Sequence, residues 1–246
     1  MFETFFYQPI LNLLVFLYNI VPGNDLGIAI ILLTIVIKLL LLPLSKKSIK
    51  SQKALQDLQP QTEALKKKFK DNKEAMSKAM LELYKKNKVN PFSSCLPLII
   101  QLPFLFAVFR VFRNGFDNGT LDLVYPFITR PEVINYMSLG FIDLSVRNIP
   151  IAIMAGAAQF WQTKMMMIKK PPIKGAGAKD ENMAAIMNKQ MLYFMPLLTV
   201  VIGIQFPGGL ALYWLVTTVL TGAQQAWLFN KDEKKKSIIE GEIVKK

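Results

Sequence analysis

Five long apolar segments constrain this chain more than any other feature of its sequence. A transmembrane helix needs about 20 predominantly apolar residues, with a range of about 17–25. The turn sequence Pro207-Gly208-Gly209 separates the last two segments, which therefore read as a hairpin of two spans. The sequence predicts an all-α, polytopic membrane protein with a core at residues 26–230. Its predicted spans are residues 26–44, 92–112, 148–168, 189–206 and 209–229.

The first 25 residues carry a different pattern. Residues 4–21 contain no charge, but Gln8, Asn12 and Asn19 recur at helical spacing on one side. A helix with an apolar body and one polar side is typical of the membrane interface. We therefore predict an N-terminal interfacial helix within residues 1–25, with a sixth span as the alternative.

The distribution of lysine and arginine predicts the orientation. The loop from Lys46 to Lys88 holds thirteen lysines against five acids, whereas residues 1–25 hold neither lysine nor arginine. The loop 114–148 has only Arg130 and Arg147 beside four acids. Cytoplasmic loops of membrane proteins are enriched in these cations. This predicts an external N-terminus, a cytoplasmic loop 46–90 and a basic cytoplasmic tail at residues 231–246.

The first cytoplasmic loop also has helical periodicity. Two narrow apolar stripes, separated by Asp71-Asn72, predict a hairpin of two helices whose stripes face each other. Pro60 is expected to kink or restart the first arm. The lysines of the loop favour anionic headgroups as neighbours. The stripes are formed by Leu55, Leu58, Leu65 and Phe69, and by Met76, Met80 and Leu83.

Polar residues within the spans predict a wet groove. Lys38 shares a helix face with Thr34, and a cation near the centre of a span costs about 2.5–3.5 kcal/mol, so it is usually functional. Glutamine and threonine also serve as contacts between helices, which is the alternative for any single one of them. The other candidates are Gln101 in the second span, Gln159 and Gln162 in the third, and Trp214, Thr217 and Gln224 in the last, where Thr221 and Gln225 belong to the same polar stripe.

Several residue types are missing where chemistry would need them. The chain has no histidine and a single cysteine, Cys95, which we interpret as a small buried hydrophobe. These counts exclude a disulfide within the chain, a Cys/His metal site and a histidine base. The predicted spans contain no Asp or Glu, which ion-coupled transporters generally need. We predict no enzyme activity, cofactor, metal or small-molecule substrate. A channel or transporter remains the main alternative, and a structural scaffold is another.

The chain carries a series of short motifs that resemble those of one known family, and this resemblance extends over residues 5 to 236. The chain is similar to the YidC/Oxa/Alb membrane protein insertases, in the short bacterial form without a large external domain. The motifs are Leu58-Gln59-Pro60, Leu83-Tyr84-Lys85, Val89-Asn90-Pro91, Cys95-Leu96-Pro97, Gln101-Leu102-Pro103, Phe206-Pro207-Gly208-Gly209-Leu210 and Leu212-Tyr213-Trp214.

The resemblance implies a function in inserting and folding membrane proteins. It implies a five-helix core around a hydrophilic groove that is open to the cytoplasm and to lipid, with Lys38 at the position of the family's basic residue. Thr34, Tyr213 and Trp214 then match positions that line the groove or touch the substrate, and the loop hairpin matches a mobile lid. The implied partners are new membrane proteins and the bilayer of the bacterial inner membrane, while ribosome and Sec translocon binding stay open. The family usually has Arg where this chain has Lys38, which retains the charge without the planar fork of donors.

Overall fold

The computed structural model describes residues 1–70, 72–90, 96–116, 118–166 and 178–244. These residues are mainly helical, which confirms the predicted all-α class. A π-helical turn, Glu3–Tyr7, precedes the first α-helix. The α-helices are α1 Gln8–Ile20, α2 Leu26–Leu40, α3 Leu42–Asp57, α4 Gln59–Lys68, α5 Lys73–Lys86, α6 Leu96–Asn114, α7 Asn118–Leu121, α8 Ile149–Met166, α9 Ala178–Gln205 and α10 Gly208–Val244.

Two compact units divide the chain. The first unit comprises Met1–Leu41, Ile100–Met167 and Met187–Ala223, and the second comprises Leu42–Ile99, Ile168–Ile186 and Gln224–Lys246. Within the described residues, no single helix is both long and apolar enough to qualify as a membrane span, and only α2 and α3 qualify when they are taken together. The five-span arrangement therefore stays a prediction. The predicted start of the second span at Phe92, Cys95 itself, and the end of the third span after Met166 lie outside the described residues.

The first predicted span is interrupted. The Asp25 carboxylate caps α2 by accepting a hydrogen bond from the Ile28 N–H at 3.0 Å. The helix ends at Leu40 rather than continuing to Leu44, and α3 begins after a one-residue break. Proline has no N–H, and its ring collides with the carbonyl four residues earlier, which here belongs to Leu39. Pro43 therefore explains why α2 ends a few residues before the end of the predicted span 26–44.

The amide side chains of α1 bind backbone groups of the segment 123–129. The Asn12 side chain is buried, donates to the Leu123 carbonyl at 3.0 Å and accepts from the Tyr125 N–H at 2.6 Å. Gln8 donates to the same Leu123 carbonyl at 3.2 Å, and Asn19 donates to the Thr129 carbonyl at 2.6 Å. The helix predicted at residues 4–21 is present, but its polar side attaches the segment 123–129. Its place at the membrane interface stays a prediction.

A small β-hairpin follows that segment. Strands β1 (Met137–Ser138) and β2 (Ile142–Asp143) pair antiparallel, with Met137 opposite Asp143. The Asp25 carboxylate accepts from the Ser138 hydroxyl at 2.9 Å and from the Leu139 N–H at 2.5 Å. Burial alone raises the pKa of Asp25, but these two hydrogen bonds and those from the Ile28 and Gly27 N–H groups together hold the pKa below its ordinary value. One carboxylate thus joins the start of α2 to the hairpin.

Glycines let the helices of the first unit approach closely. A Cβ atom at Gly222 of α10 would lie 2.4 Å from Cζ3 of Trp161 in α8, and one at Gly156 of α8 would lie 2.3 Å from Cγ2 of Val200 in α9. A Cβ at Gly209 would meet the ring of Phe112 at 2.2 Å. Small residues at such crossings allow helix backbones to pack at short range.

The second unit contains the helical pair predicted for the first loop. Helix α4 has Pro60 in its first turn, which confirms the predicted restart. Helices α4 and α5 pack together, and the Asn72 side chain caps α5 by accepting from the Ala75 N–H at 2.9 Å. The cytoplasmic location of this pair stays a prediction. At the C-terminal side, the predicted boundary at residue 230 is not marked by a break, because α10 continues to Val244.

Candidate functional site

The ammonium group of Lys38 lies where three helices of the first unit meet. Its Nζ donates to Oε1 of Gln101 in α6 at 3.1 Å and to Oγ1 of Thr221 in α10 at 2.8 Å. Both acceptors are neutral, and no ion pair involves Lys38 within the described residues. An ammonium has three N–H donors, so one donor remains beyond these two hydrogen bonds. The charge is therefore solvated by protein oxygen atoms but not neutralised.

The end of α2 contributes to the placement of this charge. Lys38 belongs to the last turn of the helix, because α2 ends at Leu40. The terminal carbonyl groups of a helix carry partial negative charge and favour a cation by about 0.3–1 kcal/mol at exposed sites. The break before Pro43 thus places Lys38 nearer to a helix end than the sequence suggests.

Gln101 connects Lys38 to a buried tyrosine. Its Nε2 donates to the hydroxyl oxygen of Tyr213 at 2.5 Å, while its Oε1 accepts from Lys38. Tyr213 is buried in the core of the first unit. An ammonium can only donate, so the amide must present its oxygen to Lys38 and its NH₂ group to the tyrosine. Both ends of Gln101 are therefore fixed, and the amide oxygen is held toward the ammonium.

Thr221 extends the network along α10. Its hydroxyl accepts from Lys38 and donates to the Thr217 carbonyl at 2.6 Å. The sequence analysis places Thr221 on the polar stripe of the last span but not among the site residues. The signal that could have identified it is its place one helical turn from Thr217 on the same polar stripe. Lys38, Gln101, Tyr213, Thr217 and Thr221 are referred to below as the Lys38 network.

Other predicted site residues make separate contacts. The Thr34 hydroxyl is buried and donates to the Ile30 carbonyl of its own helix at 2.7 Å. Gln159 interacts with Thr163, one turn along α8. Trp214 follows Tyr213 directly and is half-buried, and Gln162 also lies on α8. Gln224 belongs to the second unit. A groove joining all nine predicted residues stays a prediction.

Within the described part of the chain, no group of three histidine, cysteine or acidic side chains could hold a metal ion. The Lys38 network combines one cation with neutral hydroxyl, amide and carbonyl groups. Such a site can attract a carboxylate or hold water beside a hydrophobic core. It resembles a binding surface for a transient negative charge.

Comparison with known proteins gives a consistent result. The family model described as the 60Kd inner membrane protein matches residues 16–236. A Fusobacterium nucleatum protein named "Membrane protein insertase YidC" is 34% identical over 230 residues, which cover 93% of this chain and 98% of the relative.

Longer relatives carry the same name. Proteins of Geotalea daltonii and of Geobacter sp. (strain M21) are 34% and 36% identical over 223 residues, or 90% of this chain. The chain spans 36% of the length of each of these two. The motifs quoted above and these matches agree, so the chain belongs to the 60Kd inner membrane protein family, which includes the YidC insertases.

Proposed function

We propose that this chain is a membrane protein insertase of the bacterial inner membrane, which assists hydrophobic proteins into the bilayer without covalent chemistry. The names of its relatives support insertion over the channel or transporter alternative. The observation that carries the proposal within this chain is the un-neutralised ammonium of Lys38, bonded to Gln101 and Thr221. We infer that this charge attracts acidic polar segments of a client while its apolar segment enters lipid.

The proposed topology follows from the charges of the loops. Five spans cross the membrane, the N-terminus is external, and the helical pair α4–α5 and the tail are cytoplasmic. The groove lies within the first unit and combines the Lys38 network with Thr34, Gln159, Gln162 and Trp214. Hydration of the groove lowers the cost of moving a polar segment through the bilayer, because that segment keeps hydrogen-bonding partners.

The strength of the attraction can be worked out from elementary electrostatics. Two unit charges about 4 Å apart, at an effective dielectric constant near 20, attract by about 4 kcal/mol before desolvation costs. If about a quarter of this survives competition from water, the occupancy of the site changes about fivefold. Lys38 therefore needs no permanent partner to influence which clients pause in the groove.

The test compares charge variants of Lys38 in an insertion assay at matched expression. We expect Lys38→Arg to insert clients with acidic translocated tails normally, whereas Lys38→Ala and Lys38→Glu lose activity about fivefold or more. Neutral clients should be affected little. A matched control is Lys164→Ala, which removes a lysine in the last turn of α8. The Nζ of Lys164 lies 5.8 Å from the centre of the Phe160 ring. Normal insertion of acidic clients by Lys38→Ala would contradict the electrostatic mechanism.

Gln101 allows the charge to be neutralised without removing the lysine. In Gln101→Glu, a carboxylate replaces the amide that accepts from Nζ at 3.1 Å, so the ammonium gains a fixed counter-ion. We expect this variant to insert clients with acidic tails as poorly as Lys38→Ala does, although Lys38 is intact. Gln101→Met is the uncharged control and should retain a larger share of activity. Full activity of Gln101→Glu would mean that a free positive charge is unnecessary.

The α4–α5 pair is the proposed contact with anionic partners. Exposed lysines cluster where the two helices meet, and α4 ends with Lys66, Lys67 and Lys68. Headgroups or ribosomal RNA would bind such a surface more weakly as salt rises. Deleting residues 55–83 should reduce client insertion more than it reduces folding of the spans. Normal insertion by this variant would mean that the pair serves only to fix the topology. Binding to the Sec translocon would need a separate assay.

A further inference from the structure

We propose that a groove at the C-terminal end of α6 binds an anionic phospholipid, with its phosphate at Arg113 and an acyl chain along the neighbouring aromatic rings. The groove lies within the first unit and encloses about 390 Å³. It is separate from the Lys38 network, with which it shares no residue. Its walls are formed by Phe2, Phe106, Phe109, Arg110, Arg113 and Asn114.

One wall of the groove is apolar and rigidly built. Phe106 is 54% exposed and Phe2 is 37% exposed, so both rings present open surface. The Phe2 ring stacks on Phe6 with centroids 5.7 Å apart, and Phe6 contacts the edge of Phe104 at the same distance. Aromatic rings fixed by such contacts give an acyl chain a surface that does not need to be ordered on binding.

The other wall carries two arginines in different surroundings. Arg110 forms an ion pair with Glu3, and its guanidinium lies 5.0 Å from the centre of the Tyr7 ring. Arg113 makes no ion pair within the described residues, and its guanidinium lies 5.9 Å from the centre of the Phe109 ring. A guanidinium can bind a phosphate through two parallel N–H groups. Charge complementarity therefore favours an anionic headgroup over a zwitterionic one.

The position of the arginines along α6 fits the depth of a headgroup. The helix carries no charge from Leu96 to Phe109, which is about 21 Å of helix at 1.5 Å per residue. Arg110 and Arg113 follow at the end of this apolar stretch, where arginine side chains extend toward phosphate groups. A soluble anion would contact the guanidinium but leave the aromatic wall uncovered, whereas a lipid contacts both. The inference requires α6 to lie in the bilayer but does not depend on which end of it is external.

Fluorescence quenching by brominated lipids tests the proposal. A bimane fluorophore attached at Phe5→Cys, in a Cys95→Ser background, would report on lipid beside the groove, because Phe5 is 71% exposed and does not line it. In nanodiscs, we expect brominated phosphatidylglycerol to occupy the site about three to five times more readily than brominated phosphatidylcholine. The same probe at Ile153→Cys on α8, which is 54% exposed, should show a ratio near one.

Two substitutions separate a specific site from general attraction. Arg113→Gln should reduce the preference at residue 5 to about that at residue 153, whereas Arg113→Lys should keep much of it. Arg130→Gln removes the same charge from a surface arginine paired with Asp122 at 2.8 Å and should leave the preference intact. An unchanged preference in Arg113→Gln, or an equal preference at residues 5 and 153, would overturn the proposal. Because none of these variants touches the Lys38 network, client insertion provides an independent readout.

Discussion

Asn12 offers a direct test of how the segment 123–129 is attached to α1. Its side chain is 2% exposed. The amide Nδ2 donates to the carbonyls of Gln8 at 2.8 Å and Leu123 at 3.0 Å, and Oδ1 accepts from the Tyr125 N–H at 2.6 Å. Replacing Asn12 by alanine therefore removes three hydrogen bonds, two of which join segments more than 100 residues apart in the chain.

The two long-range bonds differ in what their loss costs. The Tyr125 N–H loses the acceptor that Asn12 provides, and at this partly buried position an unsatisfied donor costs up to about 1–3 kcal/mol. The Leu123 carbonyl keeps the Gln8 side chain as a donor at 3.2 Å, so losing the Asn12 hydrogen bond to this carbonyl costs less, about 0.5–1.5 kcal/mol. The expected total for Asn12→Ala is about 2–4 kcal/mol. At about 2–4 °C per kcal/mol for a chain of this size, the melting temperature should fall by about 4–16 °C.

Thermal unfolding of the detergent-purified protein, followed by tryptophan fluorescence, measures this change. The matched control is Gln8→Ala, which removes the weaker donor to the same carbonyl and should lower the melting temperature by less than about 3 °C. The double variant should lose more than the sum of the single variants, because only then does the Leu123 carbonyl lose both donors. A melting temperature of Asn12→Ala within about 2 °C of the wild type would refute this reasoning.

Three further outcomes are expected. Gly222→Ala should destabilise the first unit by about 1–3 kcal/mol because its Cβ would lie 2.4 Å from Trp161, and Trp161→Leu should relieve part of that loss in a melting experiment. Asp25→Asn should be less stable than the wild type at neutral pH, but the difference should narrow as the pH falls below about 4. The pKa of Asp25 is lowered in the folded state, so the ionised carboxylate stabilises the fold, and this stabilisation disappears on protonation. A difference in melting temperature between Asp25→Asn and the wild type that stays the same at every pH would contradict this reasoning. Single cysteines at Ser77 and Glu132, in a Cys95→Ser background, should react with an impermeant thiol reagent on intact cells only at residue 132, and the reverse pattern would invert the proposed topology.

Local patterns predicted the helices but not their tertiary partners. Periodicity, Pro60 and the break at Asp71-Asn72 are read from a few neighbouring residues, and α4 and α5 lie on either side of that break. The polar side of α1 did not reveal its binding partners, because the partners of Asn12 lie 111 and 113 residues away. The break at Leu41 was also missed, although Pro43 carries the signal. Hydropathy alone treats residues 26–44 as one run, whereas hydrogen-bond geometry divides it.

The Lys38 site was predicted in part. The cost of an intramembrane lysine identified Lys38, and helical spacing identified the stripe that contains Thr217 and Thr221. Spacing could not tell that Thr34 bonds within its own helix or that Gln101 bridges Lys38 and Tyr213. Those choices depend on how α2, α6 and α10 are rotated against each other. The two-residue strands of the hairpin at residues 137–143 are likewise too short to leave a period in the sequence.

The distribution of the Lys38 contacts along the chain sets the order in which this charge acquires its surroundings during synthesis. Gln101 follows Lys38 by 63 residues and Thr221 follows it by 183. At about 5–20 residues per second, the ribosome needs roughly 10–40 s to make the stretch from Lys38 to Thr221. Throughout this interval the lysine has entered the chain without its α10 acceptor. A nascent copy therefore passes through a stage in which Lys38 lacks one of the two hydrogen-bond acceptors that the finished fold supplies.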